Sequence, residues 1–199
     1  MNCAQHKTRG GFTLMELLLM SGILFVVIAK ASLVTSSVLE FQAREGKAMT
    51  IDDQAQQVLD RIAYQVMSCD YETLKPIIEE PGDSSGVTYQ FALGLEEGKV
   101  VWSNPQEIAK ELQSSAVYWR ENVGMEDERQ VTWTRIVSSF LEGEIPNGLD
   151  DNGNGLIDEK GLAFSMKGPE VTIRMTLEQV GAKGVAQLFT YERTVFCRN

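Results

Sequence analysis

Histidine and cysteine, the side chains on which much enzyme chemistry depends, are scarce in this chain. The sequence has one histidine, His6, and three cysteines, Cys3, Cys69 and Cys197. A Ser-His-Asp or Cys-His arrangement needs a histidine, and the only one lies in the basic N-terminal segment. No CxxC pair occurs, which argues against a thiol redox centre or a zinc site. We therefore expect a protein that is not an enzyme.

Proline is also rare, and none of the five prolines precedes Pro76. Between Val34 and Val66, apolar residues recur at steps of three and four and are separated by charged ones, which is typical of an amphipathic helix. The sequence predicts one helix from about Phe12 to Ser68. The alternative is two helices broken near Gly46, but one glycine costs a helix only about 1 kcal/mol, so we expect at most a bend.

Basic residues are outnumbered by acidic ones, 18 to 28, and the net charge is −10. Such a surface argues against binding to nucleic acid or to anionic lipid head groups, and it suits divalent cations or basic partner proteins. Gly153 and Gly155 do not follow a strand in the dinucleotide-binding pattern, so a phosphate cradle is not indicated. We expect neither nucleic acid nor a small-molecule substrate among its partners.

The N-terminal segment changes abruptly from polar to apolar within KTRGGFTLMEL, residues 7–17. A secretory signal is cut beyond its apolar stretch, whereas here a Gly-Gly pair precedes the stretch. The 18 residues from Phe12 to Ala29 carry one charge, on Glu16, and are just long enough to cross a bilayer. Basic residues before this span and an acidic chain after it place the N-terminus in the cytoplasm.

This junction resembles the leader of type IV prepilins and of type II secretion pseudopilins, which a prepilin peptidase cuts after the glycine. The resemblance implies a leader of residues 1–11, cleavage between Gly11 and Phe12, methylation of Phe12 and an assembly role for Glu16. The alternative is an uncleaved signal anchor with a chance Gly-Gly pair. An ionisable residue inside a membrane span is costly and usually functional, which favours the prepilin interpretation.

Beyond Pro76 the apolar period changes to two, which predicts an antiparallel sheet. Gln106–Gln113 is predicted as a short helix. The predicted strands are Val87–Leu93, Lys99–Ser103, Val117–Arg120, Gln130–Val137, and a final hairpin of Val171–Leu177 and Val185–Cys197. The predicted fold class is therefore α+β, with a long N-terminal helix packed on an antiparallel sheet.

The predicted helix has a membrane-spanning first half and an amphipathic second half, and a sheet with a final hairpin follows it. This layout resembles that of pilins, and most of all that of J-type minor pseudopilins. The resemblance implies a transmembrane half at residues 12–30 in the bacterial inner membrane and a periplasmic domain at residues 31–199. Its implied partners are other minor and major pseudopilins. Minor pilins of type IV pili share this layout, so adhesion, motility or DNA uptake remains an alternative to protein export. A membrane-anchored calcium-binding module, or an anchored enzyme, is a third interpretation.

The segment 147–161 has the oxygen spacing of a calcium loop of the EF-hand type. Calcium needs several hard oxygens on a tight curve, which alternate positions and a central glycine provide. With Asp150 as position one, Gly155 falls at the turn position six. The candidate ligands are Asp150, Asn152, Asn154, the carbonyl of Leu156, Asp158 and Glu159.

Position twelve of this loop is Gly161, where a bidentate glutamate is expected. Glu159 would substitute from two residues earlier, or Glu142 or Glu144 would swing in. With two asparagines in place of aspartates, we expect weak calcium binding, at about 10⁻⁴ to 10⁻³ M. The alternative is an acidic Asn-Gly turn without an ion.

Cleavage of the leader would remove Cys3 and leave two cysteines in the domain. An even pair in an exported domain favours a disulfide between Cys69 and Cys197. The alternative is two separate buried thiols, since the sequence does not show that they are close.

Overall fold

The structure, a computed structural model, describes residues 13–78, 82–111, 113–180 and 184–197. The chain divides after Thr50 into two compact units. Helix α1, Leu14–Ser68, runs through both without a break at Gly46, so the predicted single helix is confirmed.

The described part of the first unit is the N-terminal part of α1. Its segment Leu14–Val38 is long and apolar enough to cross a membrane, and its large apolar side chains are exposed. It extends past the predicted end at residue 30 because Lys30 is the only charged residue between Glu16 and Val38. This candidate span has the length and polarity of a single-pass membrane anchor.

In the described residues of the second unit, nine strands form three antiparallel sheets. The four-stranded sheet has the order β1-β4-β5-β6, β2 pairs with β3, and the last sheet has the order β7-β8-β9. The strands are β1 Gly86–Tyr89, β2 Ala92–Glu96, β3 Lys99–Trp102, β4 Gln106–Lys110, β5 Val117–Glu121, β6 Arg129–Thr134, β7 Leu162–Lys167, β8 Glu170–Val180 and β9 Ala186–Phe196. The architecture is thus an apolar N-terminal helix with antiparallel sheets, the α+β class.

One apolar core unites the last turns of α1 with both larger sheets. From α1 it includes the stripe Ile51, Ala55, Val58, Leu59, Ile62, Ala63 and Val66. Polar contacts accompany it on both sides. Tyr89 of β1 donates a hydrogen bond to Gln65 (3.1 Å), and Arg193 of β9 forms an ion pair with Asp60. The amphipathic stripe predicted from the sequence is therefore the face that the domain buries.

The predicted helix at Gln106–Gln113 is wrong, because Gln106–Lys110 is strand β4. This strand lies between β1 and β5 and exchanges ladder hydrogen bonds with both. Ile108 is fully buried there, opposite Val87 and Trp119. An isolated helix this short gains little in water, whereas a central strand satisfies its backbone on two sides and buries its apolar residues.

The predicted strand Val87–Leu93 is two strands in two sheets. Gln90 interrupts it, because its backbone N–H donates to the Thr73 hydroxyl and its carbonyl accepts from the same hydroxyl. Strand β7, Leu162–Lys167, was not predicted at all. It is buried on both faces and therefore lacks the alternation that marks a half-exposed strand. The predicted final hairpin is confirmed as β8 and β9.

Gly161, directly before β7, lies where no side chain fits. A Cβ added there would meet the Ser138 carbonyl oxygen at 1.9 Å and its carbonyl carbon at 2.7 Å. These are backbone atoms, so relief requires a shift of the main chain.

We predict that Gly161→Ala destabilises the domain by about 2 kcal/mol or more, because overpacking against backbone forces strain. The matched control is Gly94→Ala on β2, where an added Cβ meets nothing within 4 Å. Urea unfolding of the full chain in detergent, followed by tryptophan fluorescence, measures both. Equal stability of the two variants would contradict the close approach at Gly161.

Candidate calcium-binding loop, helix terminus and cysteine pair

The N-terminus of α1 is closed by a reciprocal contact between Thr13 and Glu16. The Glu16 backbone N–H donates to the Thr13 hydroxyl oxygen (3.3 Å), and the Thr13 backbone N–H donates to the Glu16 carboxylate (3.4 Å). This T-x-x-E pair is a capping box, although its contacts are long, and the spacing alone could have predicted it. The predicted processing residues Gly11 and Phe12 lie outside the described residues.

The segment predicted to bind calcium is a loop whose two ends are pinned together. The Leu141 N–H donates to the Glu159 carbonyl (3.0 Å), and the Gly161 N–H donates to the Ser139 carbonyl (3.1 Å). Phe140 and Lys160 form an antiparallel bridge at the same point. The intervening residues therefore leave the sheet and return to it at one place.

Asp150 organises the tip of the loop. One of its carboxylate oxygens accepts from the N–H groups of Gly153 (2.7 Å) and Asn154 (3.2 Å). The other accepts from Gly155 (2.9 Å). Gly153 and Gly155 both have positive φ, at 76° and 90°, which favours glycine at both positions. The main chain thus curls around the carboxylate at predicted position one.

Asn152 and Asn154 turn the chain in the same direction. The Asn152 side-chain oxygen accepts from the Asn154 N–H (3.0 Å), and the Asn154 side-chain oxygen accepts from the Leu156 N–H (2.9 Å). Each amide oxygen retains a further lone pair, so these contacts do not exclude a bound ion. The Leu156 side chain is buried and holds the loop against the domain.

Glu144, one of the residues considered for completing the ligand set, lies against the loop from inside. Its side chain is buried, and its carboxylate accepts from the N–H groups of Asn152 (3.0 Å) and Asp158 (3.2 Å). Glu142, the other such residue, instead accepts from the hydroxyl of Thr190 on β9 (3.0 Å). The fold therefore brings Glu144 to the loop and occupies Glu142 elsewhere.

Asp158 closes the entrance of the loop. Its carboxylate accepts three hydrogen bonds of 2.9–3.1 Å from the N–H groups of Asn147 and Gly148. Its φ is 55°, a left-handed conformation that aspartate tolerates better than most residues. The predicted ligand at position nine is thus already held by backbone donors.

Glu159 is the most buried carboxylate of the group, with no exposed surface. One of its oxygens accepts from the Asn154 side-chain amide (2.5 Å), and the other has no hydrogen-bond partner. Burial, followed by the charge of Glu159, raises the pKa of the Asp83 carboxyl, which lies nearby. No local sequence pattern could have predicted that Asp83 lies near this loop, because Asp83 is 76 positions before Glu159 in the chain.

Position twelve of the loop is Gly161 instead of the expected glutamate. The cause is steric, because Gly161 lies against the Ser138 backbone and leaves no room for a side chain. Among the described residues, no group of three or more histidine, cysteine, aspartate or glutamate side chains is placed to hold a metal ion. Calcium binding at this loop must therefore draw on amide and carbonyl oxygens as well as carboxylates. Calcium accepts all three kinds of ligand.

Cys69 follows the end of α1, and Cys197 follows the end of β9. Their sulfur atoms lie 3.9 Å apart, both side chains are buried, and no S–S bond joins them. The hydrogen bond to Cys197, together with burial, holds the pKa of the Cys69 thiol above its usual range. The fold thus supplies the proximity that the sequence left open, and the disulfide stays a prediction.

Two apolar surfaces of the second unit face solvent. A groove of about 410 Å³ lies between α1 and the four-stranded sheet and is floored by Trp119 and Trp133. Their rings stack 6.5 Å apart, and the Trp119 N–H donates to Tyr89 and Gln106 (both 3.1 Å). The second surface is the β2–β3 hairpin, which exposes Leu93, Leu95, Val100 and Trp102. Contiguous exposed apolar surface is typical of protein-binding sites.

Comparison of the chain with protein-family models, with curated proteins and with solved structures finds no match.

We predict that Cys69 and Cys197 form a disulfide in protein isolated without reductant. A loop this long would stabilise the fold by about 4 to 5 kcal/mol in the chain-entropy model. Non-reducing peptide mapping should recover one peptide that contains both residues. In Cys197→Ala, the stability of the domain should no longer depend on reductant. Two free thiols in the mapped wild-type protein would contradict the prediction.

Proposed function

We propose that the chain is a non-enzymatic structural subunit of a membrane-anchored filament, processed by a prepilin peptidase. The observation that carries this proposal is the order of four features along the chain. A basic segment is followed by a Gly-Gly pair, then by the sequence FTLME, and then by an apolar helix. A peptidase that cuts before the apolar segment leaves that segment on the mature protein. An ordinary secreted protein or a simple anchor has no use for such a cut.

The helical anchor supports this proposal through its composition. Leu14–Val38 contains Glu16 in its first turn, and an ionisable residue within a membrane span is costly and usually functional. A bundle of such helices would relieve this cost if the amino group of Phe12 on a neighbouring subunit paired with Glu16.

The exposed apolar surfaces of the domain support a subunit with protein partners. Leu93 and Leu95 on the β2–β3 hairpin are 64% and 72% exposed. The Trp119–Trp133 groove presents aromatic surface, which is enriched in protein interfaces. Other pseudopilins or pilins are the partners that we propose for these surfaces.

In its most specific form, the proposal is a minor pseudopilin of the J type in a type II secretion system, with its domain in the periplasm. It rests on the layout of one long helix, antiparallel sheets and a terminal hairpin, β8–β9. A minor pilin of a type IV pilus has the same layout and is the alternative. Co-purified partner subunits distinguish the two.

We predict that the mature chain begins at a methylated Phe12. Intact-mass analysis of protein extracted from its native membrane should show the loss of residues 1–11 and the gain of one methyl group. Gly11→Val should accumulate the uncleaved precursor, because the peptidase accepts no side chain at the cut. Gly10→Val, one residue away from the cut, is the matched control and should be processed. A full-length wild-type mass would refute the proposal.

We predict that the charge of Glu16 serves assembly, separately from its cap. Glu16→Gln keeps a side chain that can complete the capping box but removes the charge. Thr13→Val removes the cap oxygen and keeps the charge. Glu16→Gln should reduce the fraction of the chain in sheared filaments by about tenfold, equivalent to about 1.4 kcal/mol, and Thr13→Val should leave it near wild type. If Thr13→Val reduced incorporation into filaments and Glu16→Gln did not, Glu16 would serve the helix terminus alone.

A further inference from the structure

We infer that the 142–159 loop binds one calcium ion and that the buried carboxylate of Glu159 gives the site its second negative charge. The Asp150 carboxylate supplies the first charge. The side-chain oxygens of Asn152 and Asn154 and the carbonyl of Leu156 complete the set. The site would exist whether or not the chain enters a filament, so its test is independent of processing and assembly.

The burial of Glu159 is the observation that carries this inference. Its side chain has no exposed surface, and one carboxylate oxygen has no hydrogen-bond partner. The ion pairs in the described part of the chain all lie elsewhere. Lys160, the adjacent cation, lies over the Phe140 ring at 4.0 Å. A buried carboxylate is costly unless a cation compensates it, and none of these ion pairs includes Glu159.

Glu159 faces the loop. Its paired oxygen accepts from the Asn154 side-chain amide at 2.5 Å. This contact orients the amide so that its nitrogen faces Glu159 and its oxygen faces the curled backbone, where it meets the Leu156 N–H. The negative charge of Glu159 therefore adjoins Asn154, the residue at loop position five.

The chemistry of these donors favours calcium over other divalent cations. All of them are hard oxygens, without the imidazole or thiolate ligands that zinc and copper prefer. Two carboxylates and neutral amide and carbonyl oxygens on an irregular curve suit a flexible coordination shell. Magnesium demands a near-ideal octahedron and gives up its water reluctantly, so it should bind more weakly.

The experiment is thermal unfolding of the full chain in detergent, in calcium chloride or in chelator at equal ionic strength. Trp102, Trp119 and Trp133 are the only tryptophans, so their fluorescence reports the second unit alone. At a hundredfold excess of calcium over Kd, the wild-type midpoint should rise by about 5 to 10 °C. Magnesium chloride at the same concentration should raise it by less.

Glu159→Gln gives the sharper outcome, because it keeps the shape and removes the charge. In chelator the variant should melt above wild type, since an uncompensated buried charge has gone. In calcium it should melt below wild type, with calcium affinity reduced at least about tenfold. The matched control is Glu126→Gln, which removes an exposed charge between β5 and β6 and should leave the calcium response unchanged.

Two results would overturn the inference. Superimposed wild-type curves in calcium and chelator would show that the segment is an acidic turn. An unchanged calcium response in Glu159→Gln would show that Glu159 takes no part in the site. If the variant fails to fold, calorimetric titration of wild-type protein with calcium chloride still decides whether the site exists.

Discussion

Between Ile51 and Val66, helix α1 buries an apolar stripe in the same core as strands of both larger sheets. Each fully buried aliphatic side chain contributes about 1.5 to 3 kcal/mol, so the stripe is a major part of the stability of the domain. In the described residues, backbone hydrogen bonds just outside the strands join the two sheets: Ser84, before β1, exchanges two with Phe164 of β7, and the Ser138 N–H, after β6, donates to the Thr176 carbonyl of β8. Side-chain packing adds to these backbone bonds, with α1 as a central member and Gln65, Asp60 and their partners at its margins.

The polar features of the domain lie where this core ends. Cys69 follows the last turn of α1, and its sulfur meets Cys197 after the last strand. The loop of residues 142–159 leaves the core at Phe140 and returns at Lys160, and it buries Leu156 as an apolar anchor. A segment with this many carboxylates and glycines has little else to hold it, so its shape depends on hydrogen bonds to Asp150, Glu144 and Asp158.

The proposed role places different demands on the two units. A span such as Leu14–Val38 needs apolar side chains on all sides, because lipid surrounds it until other helices join. A domain in water needs one buried face and a polar remainder, and the exposed hairpin β2–β3 departs from that rule. Exposed apolar surface of this kind is typical of protein-binding or membrane-binding sites. Helix α1 meets both demands, because its N-terminal part is apolar on all sides and its C-terminal part is apolar on one face only.

Local patterns in the sequence determined the long helix, the apolar span, the terminal hairpin and the oxygen spacing of the loop, because each depends on residues a few positions apart. Tertiary structure alone decided that Gln106–Lys110 is a central strand, that β7 is buried on both faces, and that Gly161 must lack a side chain. It also brought Cys69 to Cys197 and left the Glu159 carboxylate buried with an unpartnered oxygen. These outcomes depend on contacts between residues far apart in the chain, which no short-range periodicity records.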